Sequence, residues 1–376
     1  PAKASEMIKM MQKAENPVVI AGTGAWQSHA ESELKEFIEK TGMPLFTSLS
    51  GRGVVSDDHP LCFEGAIAIR PGCGFAAYIE TDLIIVLGSR ICLYYLFGDI
   101  FNPAAKLIQV DIEPEEIGRN RTVDLPVVSD VKGFLNACNQ LLKDELSSEL
   151  KLKFTPWIEK LSLAHKESKK NSKNDWQSDN LPIHPLRLAG EINAFMNQKT
   201  DIVVADGGDT TTWMGMTRTM THAGRYLDYG IYGSLAVGLP YANAAKLLNP
   251  DSRVCLITGD GSIGFNFMEF ETAIRKNLPI VVVISNDLGW GMIRHSQELR
   301  IGHAIENGTF IGKVDYHKMV EAIGGRGFFV QNPQDIKPAL EEAFASNKVC
   351  CINVMTDPTT VSPGSAMLAN VGAYKA

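Results

Sequence analysis

Long apolar segments, cysteine pairs with metal-binding spacing and an excess of basic residues are all missing from this 376-residue sequence. No apolar run approaches the roughly 20 residues that a membrane-spanning helix requires, and the first residues lack the apolar core of a signal peptide. The seven cysteines are scattered through apolar segments, which is typical of reduced thiols in a cytoplasmic protein. The net charge of −7 disfavours binding to nucleic acid or to an anionic membrane. The composition therefore predicts a globular, cytoplasmic protein with small-molecule ligands.

Short apolar segments alternate with helical patterns along two parts of the chain. With 45% hydrophobic and 21% charged residues, the sequence has the composition of a globular protein of two or three domains. Strands alternating with helices indicate parallel sheets covered on both faces. We therefore predict an α/β fold with two doubly wound parallel-sheet domains, 1–145 and 181–376. A polar, lysine-rich linker is predicted over 146–180.

The segment GDGSIGFNFMEFETAIRKNLPIVVVISND, residues 259–287, predicts a strand, an amphipathic helix and a second strand. This βαβ unit places Asp260 and Asp287 directly after two strands that we expect to be neighbours. The carboxyl edge of an open parallel sheet is where such folds bind ligands. Both carboxylates are therefore predicted at a ligand-binding edge.

Two converging carboxylates repel each other unless a cation lies between them. An oxygen-ligated divalent cation such as Mg²⁺ suits them, and it keeps coordination positions for water and phosphate oxygens. Gly261 and Ser262 open the predicted helix, whose first amide groups favour a phosphate. The segment thus predicts a metal–diphosphate site. The alternative is that Gly-Asp-Gly is an ordinary turn and that Asp287 caps the chain before Gly289.

The same segment resembles the thiamine-diphosphate signature of the acetolactate synthase and benzaldehyde lyase superfamily. The resemblance extends to 2-hydroxyacyl-CoA lyases. The similarity continues through GWGMIRHSQ (289–297), ENGTF (306–310), YGSLAVGLPYANAAKLLNP (232–250) and VDIEPEEIGRNR (110–121). It covers nearly the whole chain. The resemblance implies a Rossmann-like middle domain followed by a domain that binds thiamine diphosphate and Mg²⁺.

Roles for individual residues follow from this resemblance by position. It implies that Asp260, Asp287 and the Gly289 carbonyl bind the metal ion. Contacts with the cofactor are implied for two further groups of residues. The residues that would contact the diphosphate are Gly208, Asp209, Thr210, Gly261 and Ser262. The Gly233 carbonyl would accept a hydrogen bond from the 4′-amino group, and Leu235 would support the bent cofactor.

Three features depart from the family's pattern or are missing. The family usually has Asn where this chain has Asp287. Its essential glutamate belongs to a pyrimidine-binding domain that this chain does not match, so the catalytic residue is unknown here. We therefore expect a truncated chain, a cleavage product or one subunit of a split enzyme, with the missing domain in a longer chain or a separate subunit. Because active sites of the family lie between subunits, a homo-oligomer is also expected.

The middle domain has its own candidate ligand. GTGAWQ (22–27) is only a partial dinucleotide fingerprint, because its third glycine is absent. Family members bind FAD, ADP or nothing in this domain, and Arg90 and Asp111 match positions near that ligand. All three alternatives stay open.

The sequence thus predicts part of a thiamine-diphosphate-dependent carbon–carbon lyase, ligase or decarboxylase acting on 2-keto acids or 2-hydroxy ketones. The alternative is a non-catalytic nucleotide-binding or regulatory fragment. Trp290, Met292 and His295 follow the metal loop, where they either line the substrate side or serve in packing.

Overall fold

The computed structural model describes residues 1–63, 73–171 and 173–370 and divides the chain into two compact units. Unit 1 comprises Pro1–Asn171 and Met220–Gly224, and unit 2 comprises Ser172–Thr219 and Arg225–Ala376. Each unit contains one sheet whose strands all pair in parallel. The predicted pair of parallel-sheet α/β domains is confirmed.

Unit 1 is built on a five-stranded sheet in the order β2-β1-β3-β4-β5. Its strands are β1 Pro17–Ala21, β2 Leu45–Thr47, β3 Leu83–Leu87, β4 Lys106–Asp111 and β5 Leu125–Val128. Its helices are α1 Ala2–Lys13, α2 Thr23–Gln27, α3 Glu31–Thr41, α4 Cys73–Glu80, α5 Val131–Leu141 and α6 Asp144–Asn171.

Both faces of this sheet are covered, as the continuous apolar strands require. In β1, Val19 and Ala21 pack into one hydrophobic cluster, whereas Val18 and Ile20 pack into another. Successive side chains of a strand point to opposite faces, so the two clusters lie on opposite sides of the sheet. This is the doubly wound arrangement predicted from the alternating pattern.

Residues 146–171, which we predicted as linker, lie in the long helix α6. Leu150, Phe154, Trp157 and Leu161 are buried at helical spacing. The Trp157 indole Nε1 also donates to the Pro17 carbonyl at 3.0 Å, which ties α6 to β1. The polar composition led to the linker prediction because only one apolar stripe packs this helix against unit 1, while the rest of its surface is charged.

Unit 2 is built on a six-stranded sheet in the order β10-β11-β9-β8-β6-β7. Its strands are β6 Ile202–Ala205, β7 Tyr226–Leu227, β8 Val254–Gly259, β9 Val281–Asn286, β10 Arg326–Val330 and β11 Cys350–Met355. Its helices are α7 Lys173–Trp176, α8 Pro185–Phe195, α9 Gly208–Thr217, α10 Gly238–Leu248, α11 Asp260–Ile263, α12 Glu269–Arg275, α13 Gly291–Ile301, α14 Glu306–Thr309, α15 Tyr316–Ala322, α16 Ile336–Ala345 and α17 Pro363–Asn370.

The connection between β8 and β9 differs from the single helix that the apolar period predicted. Helix α11 stops after Ile263, and α12 begins only at Glu269. Phe270 and Ala273 of α12 are buried, and Phe267 and Ile274 pack partly against the same core, whereas Met268 is exposed. Gly264 follows α11 directly, and a glycine at that place favours termination because it weakens a helix interior.

Within the described ranges, no helix has the length and apolar character that crossing a membrane requires.

Candidate metal and diphosphate site

The carboxyl ends of β8 and β9 place two aspartates side by side. These strands pair in parallel with Gly259 opposite Ser285. Asp260 directly follows Gly259, and Asp287 lies two positions after Ser285. The prediction that the two strands are neighbours is thereby confirmed, and it sets both acids at one edge of the sheet.

Asp260 is a buried carboxylate whose hydrogen bonding is incomplete. The residue is 2% exposed. Its Oδ1 accepts from the Gly261 amide at 3.0 Å, whereas its buried Oδ2 has no hydrogen-bond partner. A buried polar atom without a partner is costly, and a buried charge needs a counter-charge. This oxygen therefore fits a bound cation.

The electrostatics of the pair show the same shortage of positive charge. Burial, and then the charge of Asp287, raise the pKa of Asp260. Burial also raises the pKa of Asp287, although the Arg294 guanidinium opposes this shift. Both carboxylates would ionise fully at neutral pH if a divalent cation lay beside them.

Asp287 is held by an arginine that sequence reasoning did not single out. Its Oδ2 accepts from Arg294 Nη2 at 2.9 Å, and its backbone carbonyl accepts from Nη1 at 3.4 Å. The same Nη2 donates to the Pro358 carbonyl at 2.6 Å. At Gly291 a Cβ atom would lie 2.4 Å from Asp287 Oδ2, so glycine as the first residue of α13 makes room for this carboxylate.

Gly289 lies in a tight loop opposite Phe310. The two residues form an antiparallel bridge, and the next amide, of Trp290, donates to the Thr309 carbonyl at 2.8 Å. A Cβ at Gly289 would come within 2.3 Å of that carbonyl oxygen. In the described part of the chain, no cluster of three or more His, Cys, Asp or Glu side chains could hold a metal ion. The predicted ligand set needs only two such side chains, because its third member is a backbone carbonyl.

The first turn of α9 carries the predicted diphosphate residues Gly208, Asp209 and Thr210. The Asp209 carboxylate is already bonded within the protein. Its Oδ1 accepts from the Ser362 and Ser365 hydroxyls, and its Oδ2 lies 3.1 Å from His295 Nδ1. A contact with a diphosphate at this position would therefore come from backbone amides rather than from the side chain.

His295 lies between two hydrogen-bond acceptors, one of which is the Asp209 carboxylate. Its Nε2 lies 2.9 Å from the Pro358 carbonyl, so both ring nitrogens face acceptors. Burial opposes protonation, but the Asp209 and Pro358 acceptors outweigh it and raise the pKa of His295. Bonds inside the protein thus fix the position of this side chain.

The predicted diphosphate residues of α9 and α11 lie close together. A Cβ at Gly207, which precedes α9, would lie 3.6 Å from the Ser262 Cβ. Two glycines accommodate large neighbours, since a Cβ at Gly208 would meet Met292 Sδ at 2.5 Å and one at Gly261 would meet the Trp290 ring at 2.7 Å. Met292 and Trp290 therefore pack against this edge.

The turn that carries Gly233 and Leu235 is attached to the loop after β6 and to α11. The Ala236 amide donates to Asp206 Oδ1 at 3.2 Å and to Ser262 Oγ at 3.1 Å. The turn itself is open, since Leu235 is 37% exposed and a Cβ at Gly233 would meet no atom within 4 Å. The structure thus brings this turn to the same edge as Ser262.

Asp206 is a second residue to which sequence reasoning gave no role. Its buried carboxylate accepts from the amides of Gly207, Ala236 and Gly238. Burial raises the pKa of Asp206, and these hydrogen bonds oppose the shift. Ala236 has a φ of +70°, which is strained for a residue with a side chain, so the carboxylate stabilises an unfavourable turn. The sequence signal that could have identified Asp206 was an acidic residue at the end of β6, directly before two glycines.

The candidate residues of unit 1 lie at the ends of two paired strands. Arg90 follows β3 and its Nε lies 3.1 Å from Glu116 Oε1. Asp111 ends β4, and its Oδ1 accepts from the Glu113 amide at 3.0 Å. Because β3 and β4 are neighbours, both residues lie at the carboxyl edge of the sheet of unit 1.

Two family profiles match this chain. "Thiamine pyrophosphate enzyme, C-terminal TPP binding domain" matches residues 206–354, and "Thiamine pyrophosphate enzyme, central domain" matches residues 4–138. The first match contains the edge formed by Asp206, α9, α11 and Asp287. The chain belongs to the thiamine pyrophosphate enzymes, of which it has the central and C-terminal domains.

Individual relatives differ in the reaction that they are named for. A probable acetolactate synthase of Mycobacterium bovis is 33% identical over 96% of this chain and 63% of its own length. A 2-hydroxyacyl-CoA lyase of Arabidopsis thaliana is 31% identical over 93% of this chain and 61% of its own length. An oxalyl-CoA decarboxylase of Escherichia coli is 29% identical over 95% of this chain and 62% of its own length. The chain therefore spans somewhat less than two thirds of the relatives that it matches.

Proposed function

We propose that this chain supplies the diphosphate- and metal-binding half of a thiamine-diphosphate-dependent carbon–carbon lyase, ligase or decarboxylase. The proposed substrates are 2-keto acids or 2-hydroxy ketones, by analogy with the relatives' names. The observation that carries the proposal is the buried, unpartnered Oδ2 of Asp260 beside Asp287, within the segment that matches the cofactor-binding profile.

Mg²⁺ is the proposed metal ion, with Asp260, Asp287 and the Gly289 carbonyl as its protein ligands. Carboxylate and carbonyl oxygens are the ligands that Mg²⁺ prefers, and Mg²⁺ usually retains positions for phosphate oxygens. The first amides of α9, together with Gly261 and Ser262, are proposed to contact the diphosphate. The helix dipole and free amides at the start of α9 support this assignment.

When bound, thiamine diphosphate supplies a nucleophilic thiazolium carbon that also accepts electrons from the bond being broken. The residues of this chain bind and orient that group. Gly233 and Leu235, on their open turn, are proposed to contact the rings of the cofactor. Asp206 supports this role because it fixes the backbone of the turn at Ala236 and Gly238.

The remaining half of the site is proposed to come from a pyrimidine-binding domain, either in a longer chain or in a separate subunit. A homo-oligomer is proposed as well. Large apolar side chains near the cofactor segments are exposed in the single chain and support an assembled form: Tyr232, Phe265, Met268 and Phe310. A cytoplasmic location is proposed from the seven free cysteines, which suit a reducing compartment. For the middle domain, the proposed alternatives at Arg90 and Asp111 are FAD, ADP and no ligand.

Calorimetric titration of thiamine diphosphate into the folded chain, with and without Mg²⁺, tests the proposal. We expect binding that requires Mg²⁺ and that Asp260→Ala abolishes. Asp251→Asn, a change at an exposed acid of the same unit, is the matched control and should bind like the wild type. Binding that ignores Mg²⁺, or that survives Asp260→Ala, would contradict the site assignment.

A further inference from the structure

Three carboxylates lie at the edge where β8 and β9 end and α9 begins, and they differ in their partners. A Cβ at Gly291 would lie 2.4 Å from Asp287 Oδ2 and 3.2 Å from Asp209 Oδ2, so these two acids flank the same glycine. Asp209 is paired with His295, and Asp287 is paired with Arg294. Asp260 Oδ2 alone among the three has a buried oxygen without a hydrogen-bond partner.

Both cationic partners come from consecutive positions in the first turns of α13. Their side chains are mostly buried, Arg294 being 13% and His295 2% exposed. Each also donates to the Pro358 carbonyl, at 2.6 Å from Arg294 and 2.9 Å from His295. This shared acceptor holds the guanidinium in place, so its charge is fixed beside Asp287 rather than free in solvent.

Resting on the proposed function, we infer that Arg294 is a positioning residue that enables Asp287 to serve beside Asp260 in a metal–diphosphate site. Without the guanidinium, a diphosphate would approach two carboxylates whose combined charge a single divalent cation only just balances. Arg294 neutralises one of them, so the site retains positive charge for the anion. Its short bond uses Oδ2 of Asp287, which leaves Oδ1 for the cation.

The inference requires that positions 287 and 294 act as a pair. If Arg294 serves only to balance Asp287, a neutral amide at 287 removes the need for it. Arg294→Gln should therefore weaken Mg²⁺-dependent binding of thiamine diphosphate, and Asp287→Asn should largely restore binding in the double variant. A purely structural arginine would not give this rescue, because Arg294 also bonds to Pro358 and the double variant would lose that contact too.

A double-mutant cycle on cofactor affinity tests this, with calorimetry at saturating Mg²⁺ for the wild type, Arg294→Gln, Asp287→Asn and the double variant. We expect Arg294→Gln to weaken binding by about 10- to 100-fold, the usual range when a residue that supports a metal ligand is replaced. The double variant should bind within about twofold of the wild type, which is the usual additivity error of such cycles. Arg294→Lys keeps the charge without the planar geometry and should fall between wild type and Arg294→Gln.

Arg275→Gln is the matched control, since Arg275 pairs with Glu271 on the exposed face of α12 in the same unit. It should leave cofactor affinity unchanged. Additive losses in the cycle, or wild-type affinity for Arg294→Gln, would overturn the inference while leaving the proposed function intact. Absence of Mg²⁺-dependent binding in the folded wild type would instead overturn the proposed function. Urea unfolding of every variant separates lost affinity from lost folding.

Discussion

Replacing Asp260 with Asn should make the metal-free protein more stable while it abolishes metal-dependent cofactor binding. Asp260 is 2% exposed, and its buried Oδ2 has no hydrogen-bond partner. An amide at this position retains an acceptor for the Gly261 amide and gains a donor that can bond to Asp287. The substitution therefore removes a buried charge without removing the side-chain volume.

The size of the effect follows from the protonation of Asp260. Burial and the neighbouring Asp287 raise the pKa of this carboxyl in the folded state. A raised folded-state pKa means that the stability contribution is fully present below the unfolded value, about 4, and is lost as the pH rises through the folded value. Leaving a buried acceptor unsatisfied costs about 1–3 kcal/mol, and more when it is charged. We therefore expect Asp260→Asn to stabilise the metal-free chain by at least about 1–3 kcal/mol near pH 8.

Urea unfolding in the presence of a chelator, at pH 4 and at pH 8, measures this effect. The free energy of unfolding of the variant should exceed that of the wild type at pH 8, and the difference should shrink towards pH 4. With Mg²⁺ and thiamine diphosphate at about 100 times the dissociation constant, the wild type alone should gain about 2.7 kcal/mol. A variant that is less stable than the wild type at pH 8, or a difference that does not change with pH, would refute the reasoning.

Three further changes address the packing and charges around this site. Gly261→Ala should lower the free energy of unfolding by about 1–3 kcal/mol, because the new Cβ would lie 2.7 Å from the Trp290 ring; a change within 0.5 kcal/mol would contradict this packing. His295→Gln should destabilise the chain most below pH 6.5 and progressively less as the pH rises through the raised folded-state pKa of His295. Urea unfolding at pH 5.5 and at pH 9 measures this difference. An effect independent of pH would show that the imidazolium is not involved. Asp206→Ala should cost about 1–3 kcal/mol because it removes the acceptor of the Gly238 amide and one of the two acceptors of the Ala236 amide. Hydrogen exchange at residues 233–238 should accelerate. Unchanged exchange would mean that the carboxylate does not hold the turn.

The sequence predicted the position of the two metal-binding candidates because local patterns determine it. β8 and β9 are continuous apolar runs, which is the mark of strands buried on both faces, and one crossover joins them. Parallel neighbours end at the same edge, so Asp260 and Asp287 had to meet there. Their register, with Gly259 opposite Ser285, required the structure.

The partners of these acids could not be predicted because they come from distant parts of the chain. Ser362 and Ser365 bond to Asp209 across more than 150 residues. No period or turn signal connects positions so far apart. Arg294 is only seven residues from Asp287, but a loop separates the strand from α13, and its geometry decides whether the guanidinium reaches the carboxylate.

Helix α6 shows the opposite limitation. Its apolar residues Leu150, Phe154, Trp157 and Leu161 follow a helical period, yet the surrounding lysines and glutamates give the segment the composition of a linker. Composition averages over all faces of a helix, whereas packing depends on one. The periodicity was the better guide in this segment.

The carbonyl of Pro358 gives the C-terminal segment an unexpected share in the candidate site. It accepts from both Arg294 and His295, while Ser362 and Ser365 beyond it bond to Asp209. One peptide group thus anchors the countercharges of two acids that lie far apart in sequence. A protease cut or a frameshift just before residue 358 would spare every predicted metal ligand and both countercharges, but it would remove the acceptor that holds those countercharges in place. Damage to the tail would therefore resemble damage to the metal site.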